Sequence, residues 1–261
     1  MIDVKNLKKK FGDFTAVDDI SFNVKEGEIF AFLGPNGAGK TTTIKMLTTL
    51  LTPTSGEMLL NGYNPVTNKD KVRKSFGIVF QDPSLDDELT AKENLDFHGV
   101  LYGVDPKIRK ERIKELLELV ELWDRRNDLV KTYSGGMKRR LEIARGLLHH
   151  PRIFFLDEPT LGLDPQTRNL IWNYILDLNK KEKITIFFTT HYIEEANKVA
   201  QTVAIIDRGK IVAQGSPSEL QENTKTDTLE NAFLSYTGKA IREEEASGAD
   251  RMRLRRSIRN R

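Results

Sequence analysis

Uninterrupted apolar runs punctuate this chain, and four of them stop abruptly on a polar residue. Glu28–Leu33 runs into Gly34-Pro-Asn-Gly-Ala-Gly-Lys-Thr41, Phe76–Phe80 stops at Gln81, Ile153–Leu156 stops at Asp157-Glu158, and Ile184–Thr190 stops at His191. Short continuous apolar runs are the pattern of strands covered on both faces, as in a parallel sheet. In a doubly wound α/β sheet, ligands bind outside the carboxyl ends of the strands. The four polar ends are therefore predicted to face one pocket.

Around these runs the pattern changes twice. Residues 1–33 alternate short strands with the turn signals Phe11-Gly-Asp and Lys25-Glu-Gly, predicting an antiparallel β edge layer. Gly39–Leu50 reads as a helix and Gly56–Asn61 as a strand. From Thr90 to about His149 the strand signal disappears. Ile113, Leu116, Leu117 and Val120 recur there at i, i+3, i+4, i+7, the spacing of an amphipathic helix. A helical subdomain is expected at 90–141, inserted between core halves at 34–89 and 142–220. Strand–helix alternation resumes with Ile153–Asp157, Gln166–Lys181, Ile184–Thr190 and Glu194–Val199, and Gly209 and Gly215 bracket a last short strand. The expectation is one α/β domain over 1–220, mostly parallel in its sheet, with a helical extension at 221–240. Residues 241–261 carry too few apolar side chains to pack and read as a disordered basic tail.

Composition narrows the function classes. The 261 residues suffice for one large α/β unit, and 30% charged residues with a mean hydropathy of −0.46 describe a soluble globular protein. No apolar run approaches the roughly 18 residues that span a bilayer, and no signal peptide is expected at the start. There is no cysteine, so disulfides and thiolate metal sites are excluded. The net charge of +3 comes entirely from the tail, where seven arginines face four acids between Arg242 and Arg261. The body is neutral, which argues against nonspecific nucleic-acid binding.

The glycine-rich run Gly34-x₄-Gly39-Lys40-Thr41 has the P-loop pattern in the right setting, an apolar strand before and a helix after. Glycines let successive backbone N–H groups point at phosphate oxygens, and the following helix adds its positive end. Lys40 is expected on the β- and γ-phosphates and the Thr41 hydroxyl on Mg²⁺. At the end of a buried strand, Asp157 is placed to hold the same Mg²⁺ and Glu158 to act as general base toward a water. A plain glycine turn, or a solvated Asp-Glu cap, explains either motif alone but not both together. Gln81 and His191 are weaker in isolation, since a polar strand end needs no function; their position at two further strand ends points to the γ-phosphate and the water. His98, His149 and His150 have no such setting.

Tyr133-Ser-Gly-Gly-Met-Lys-Arg-Arg140 decides among P-loop families. It resembles the LSGGQ signature of the ATP-binding-cassette (ABC) ATPases, and Asp157-Glu158 is followed by Leu161-Gly-Leu-Asp164 as in that family. The likeness runs from Val4 to about Gly215. It implies an ATPase subunit of a membrane transporter, with ATP and Mg²⁺ as cofactors. Phe11 then matches the aromatic that stacks on adenine. Gly34, Pro35, Asn36, Gly37, Ala38, Gly39, Lys40, Thr41 and Thr42 match the Walker A loop. Gln81 matches the Q-loop glutamine that senses Mg²⁺ and the membrane partner, and Ser134, Gly135 and Gly136 match the signature that meets ATP held by an opposite subunit. Asp157 and Glu158 match Walker B and the catalytic base, Asp164 the D-loop aspartate and His191 the switch histidine. Asp82–Ala91 is expected near the surface receiving a transmembrane subunit.

Met137 in place of the signature glutamine and Tyr133 in place of leucine look like the subgroup serving ABC-2-type exporters, including the daunorubicin-resistance-like ATPases. The resemblance implies a homodimer or a paired cassette, and a separate transmembrane permease holding the chain peripherally at the cytoplasmic face of the membrane. Other readings stay open from sequence: a soluble ABC-type ATPase on nucleic acid or ribosomes, a P-loop small-molecule kinase, or a non-hydrolysing nucleotide-binding scaffold.

Overall fold

The computed structural model describes residues 1–238, so the basic tail and the last two residues of the expected helical extension lie outside the described residues. In chain order the elements are β1 (Ile2–Phe11), β2 (Phe14–Val24), β3 (Ile29–Leu33), α1 (Lys40–Leu47), β4 (Ser55–Leu60), α2 (Lys69–Ser75) and β5 (Phe76–Val79). There follow α3 (Ala91–Leu101), α4 (Pro106–Leu119), α5 (Gly135–Leu147), β6 (Ile153–Asp157), α6 (Pro165–Glu182), β7 (Thr185–Thr190) and α7 (Ile193–Val199). The chain closes with β8 (Thr202–Asp207), β9 (Lys210–Gly215), α8 (Pro217–Thr224) and α9 (Leu229–Thr237).

The strands form two sheets. A six-stranded sheet has the order β5-β6-β7-β3-β8-β9, parallel throughout except for β9. A three-stranded antiparallel sheet has the order β2-β1-β4. The layer boundary thus differs from the sequence expectation in two places. Ile29–Leu33, expected in the antiparallel layer of 1–33, lies instead inside the parallel sheet between β7 and β8. The strand at 55–60, expected within the core half 34–89, completes the antiparallel sheet instead. The reason is burial: all five residues of β3 are buried, whereas β1, β2 and β4 each leave residues on a solvent face.

The buried strands send alternate residues to opposite faces, as the two-residue period requires. Phe30 and Phe32 join Phe22, Phe155 and Phe187 between the two sheets, while Ala31 and Leu33 join Leu156, Ile186 and Phe188 under the helices. The Phe22 and Phe30 rings stack at 5.5 Å and Phe30 and Phe187 at 5.4 Å, so aromatic packing locks the antiparallel layer onto β3 and β7.

The helix starts are written locally. Thr90 and Glu93 form a reciprocal capping box on α3, Asp105 caps α4 ahead of Pro106, and Asp164 caps α6 ahead of Pro165. Helix α1 is shorter than the run Gly39–Leu50 suggested, because Thr49 turns into the left-handed region at a φ of 66°. Helix α2, without strong periodicity, has no counterpart in the sequence expectation, and α8 begins ahead of the helical extension expected from residue 221.

One close approach fixes the helical part against the sheet. A Cβ added at Gly77 in β5 falls 2.0 Å from the Gly146 carbonyl oxygen of α5. The Gly77→Ala variant should therefore force α5 off β5, lowering unfolding free energy by about 1–3 kcal/mol, the usual range for overpacking. Urea denaturation measures this; an unchanged midpoint would mean that the contact is soft.

Candidate functional site

The parallel order brings the carboxyl ends of β3, β5, β6 and β7 to one edge of the sheet. From β3 the chain enters the loop 34–39 and then α1. Gly37 and Gly39 hold φ values of 80° and 108°, and a Cβ at Gly39 would lie 2.6 Å from the Ala16 carbonyl oxygen. Only glycine fits there without strain. Helix α1 starts with no side-chain cap and no acid in its first turn, so its positive end and free N–H groups face the loop. This is a cradle for an anion.

Lys40 is buried, and its ammonium donates to the carbonyl oxygens of Gly34 (2.7 Å) and Pro35 (3.1 Å) and lies 3.3 Å from Glu158 Oε1. Burial pulls its pKa down, against the opposing pull of Glu158. The Thr41 hydroxyl donates to Asp157 Oδ1 (3.2 Å), which also accepts from the Thr189 hydroxyl (2.6 Å). Asp157 Oδ2 is buried and has no hydrogen-bond partner. Burial pushes the Asp157 carboxyl above its ordinary range, only partly offset by the two threonines. A carboxylate oxygen left bare beside a hydroxyl, below a phosphate cradle, is the donor set a hard divalent cation takes, so the residues fit Mg²⁺.

Glu158 has a positive φ of 48°, rare for a side chain of its size. Its N–H donates to the carbonyl oxygen (3.2 Å) and the hydroxyl (3.0 Å) of Thr189, which holds the turn. His191 Nδ1 lies 3.3 Å from Glu158 Oε1, within ion-pair distance though not aligned as a hydrogen bond. Burial raises the Glu158 carboxyl, but His191 and Lys40 outweigh it and keep its pKa below the usual value. The carboxylate is thus ionised near neutral pH, as a general base needs to be.

The other expected residues are placed differently. Ser134 caps α5 by accepting from Met137 N (3.3 Å), and Gly135 and Gly136 form its first turn. Among the described residues Ser134 hydrogen-bonds only within that turn and not to the phosphate loop. Asp164 spends its carboxylate on α6, accepting from the Thr167 N–H (3.0 Å) and hydroxyl (2.6 Å). Phe11 is half exposed at the β1–β2 hairpin, with Lys9 5.0 Å from its ring centre. Gln81 is exposed, and it is its backbone carbonyl that is held, accepting from Arg139 (3.3 Å).

Sequence reasoning missed the residues that hold this edge together. On α5, Arg139 donates to the Phe80 carbonyl oxygen (2.6 Å) and pairs with the buried Glu142 (3.1 Å), which accepts from Ser84 N (2.8 Å). Thr189 contacts both acids of the Asp157-Glu158 pair. The threonine pair ahead of His191 was the available signal. The Arg139–Glu142 spacing of three on a helix was another, since it places two charges on one face.

A family model described as "ABC transporter" matches residues 17–161. The chain belongs to the ABC transporter family. It is 42% identical over 241 residues to the linearmycin resistance ATP-binding protein LnrL of Bacillus subtilis, covering 92% of this chain and 77% of that one. It is 41% identical over 228 residues to the daunorubicin/doxorubicin resistance ATP-binding protein DrrA of Streptomyces peucetius, with coverages of 87% and 69%. Its fold matches the ATP-binding cassette MJ0796, solved as a post-hydrolysis dimer with ADP and Pi, at a TM-score of 0.75 and 29% identity over 83% of this chain and 98% of that one. The cassette described above is accordingly an ATP-binding, ATP-hydrolysing transporter subunit, of a kind that dimerises and works with transmembrane components.

The bare Oδ2 of Asp157 makes a separable prediction. Because burial disfavours its ionised form, Asp157→Asn should raise the melting point of the nucleotide-free cassette, by roughly 2–4 °C for each kcal/mol gained. The same variant should lose the extra stabilisation that Mg²⁺ gives over nucleotide alone. Thermal denaturation with and without Mg²⁺ checks both halves; retained Mg²⁺ dependence would move the cation elsewhere.

Proposed function

We propose that this cassette powers export through a separate ABC-2-type permease, attached peripherally on the cytoplasmic face of the membrane, with two cassettes closing on ATP between them. The observation that carries the proposal is the convergence of Lys40, Thr41, Asp157, Glu158 and His191 on one sheet edge while Ser134, among the described residues, bonds only within its own helix turn. A site whose signature half has no partner among the described residues is completed by a second cassette. The identities with the linearmycin and daunorubicin/doxorubicin resistance proteins support export as the direction.

In this reading the loop N–H groups and Lys40 hold the β- and γ-phosphates, and the half-exposed Phe11 offers its ring to adenine. Thr41, Asp157 and Gln81 would hold Mg²⁺, which supplies charge neutralisation on the phosphate oxygens. Glu158 accepts a proton from the attacking water, and His191 orients the water and the γ-phosphate. Ser134 and the Gly135-Gly136 helix end from the opposite cassette donate to the γ-phosphate. The sandwich is then stable only while that phosphate is attached, so hydrolysis releases the two halves.

The permease is proposed to dock beside Asp82–Ala91. Next to that segment α3 exposes Phe97, Val100 and Leu101 at 60%, 53% and 67%, an apolar strip of the kind that marks interaction sites. No helix among the described residues is long and apolar enough to cross a membrane.

Glu158→Gln should retain ATP binding, lose turnover by roughly 10²-fold or more, and accumulate as a dimer with ATP in size-exclusion chromatography; undiminished hydrolysis would remove Glu158 from the role. Lys40→Ala should instead weaken nucleotide binding itself, read by equilibrium titration. Leu101→Asp should leave the ATPase activity of the isolated cassette intact while abolishing co-purification with a membrane subunit. Unimpaired co-purification would place the docking surface elsewhere.

A further inference from the structure

Glu195 lies in the first turn of α7, four residues after His191, and is buried without a cationic partner among the described residues. Its two carboxylate oxygens are divided between two chain segments. Oε1 accepts from the hydroxyl of Thr160, two residues beyond Glu158, and Oε2 accepts from the hydroxyl of Thr190 (3.1 Å), the residue before His191. Thr190 is fixed in turn on both sides: its hydroxyl accepts from Tyr192 N (2.9 Å), and its carbonyl oxygen accepts from Gly34 N at the mouth of the phosphate loop (3.4 Å).

A buried carboxylate is costly unless its oxygens are satisfied, and these two hydroxyls are the groups that satisfy it. Glu158, meanwhile, sits in a left-handed conformation that only its surroundings can maintain. Thr189 holds the N–H side of that residue, and the Thr160–Glu195 contact holds the chain leaving it. We infer that Glu195 is a positioning residue for ATP hydrolysis: one carboxylate straps the turn bearing Glu158 to the turn bearing His191 and sets their 3.3 Å approach. Neither carboxylate oxygen bonds to a residue assigned to the nucleotide, so the strap is expected to act on the geometry of water activation and to leave ATP affinity alone. This rests on the proposed roles of Glu158 and His191.

The test is steady-state hydrolysis, nucleotide titration and thermal denaturation on the full chain. Glu195→Ala should lower kcat roughly tenfold or more, since small misplacements of reacting groups cost that much, with the dissociation constant for ATP within about twofold of the parent. Glu195→Gln can still accept from one hydroxyl and donate to the other, and should recover most of the rate. Thr190→Val should cost part of the rate by itself and nothing further in the Glu195→Ala background, the signature of residues acting through one contact. A well-folded Glu195→Ala with unchanged kcat, or one in which affinity and kcat fall together, overturns the strap. If Glu195→Ala does not fold, full activity of a folded Thr160→Val, Thr190→Val double variant overturns it equally. Glu158→Gln separates the levels: turnover surviving in that variant sinks the catalytic assignment itself, whereas its loss beside a fully active Glu195→Ala sinks only the strap.

Discussion

A buried ammonium, a buried carboxylate and an imidazole meet at the carboxyl ends of neighbouring strands, with Glu158 Oε1 3.3 Å from both Lys40 Nζ and His191 Nδ1. Charges withdrawn from water are costly, and their mutual attraction repays that only when their positions are held. The rest of the fold supplies the holding. Phenylalanines on both sheets wedge β3 and β7 into a fixed register, and Thr189 near the end of β7 reaches across to Asp157 at the end of β6 and to Glu158 just beyond it. The stability of the layers and the geometry of the site therefore depend on the same strands.

The cluster is also poised rather than satisfied. Lys40 donates to the carbonyls of its own loop, Asp157 keeps one bare oxygen, and burial moves the Lys40 and Asp157 pKa values toward their neutral forms. Each of these costs stability in the cassette alone, and a bound polyanion with a divalent cation would relieve it. Strain of this kind at a functional edge, offset by a well-packed interior, is the usual division of labour in an enzyme. Thr189 is the hinge of the arrangement, bonding at once to Asp157 and to the strained backbone of Glu158.

The helical part obeys a different logic. Its α5 begins with the Ser134-Gly135-Gly136 turn and then places Arg139 and Glu142 against the backbone that follows β5. Gln81 and the helix that starts at the signature turn are thereby tied through Arg139, which donates to the Gln81 carbonyl oxygen, and the Gly77–Gly146 approach keeps the helix close to the strand. Gln81 and the signature turn are therefore linked by contacts that do not involve the phosphate loop.

The sequence by itself determined the chemistry and the family. A glycine-rich turn between strand and helix, an Asp-Glu pair ending an apolar run and a serine–glycine signature are local patterns, and local patterns survive in one dimension because each is read within a single stretch of chain. Helix starts at Thr90, Asp105 and Asp164 were equally local. What only the tertiary structure decided is partnership. Apolar content could not say that Ile29–Leu33 belongs between β7 and β8, or that Ser55–Leu60 crosses to the antiparallel layer, since strand pairing is a long-range choice among similar strands. Nor could it find Thr160 or Glu195, or say what Thr189 bonds to, since these side chains matter only because folding brings distant turns within a hydrogen bond of each other.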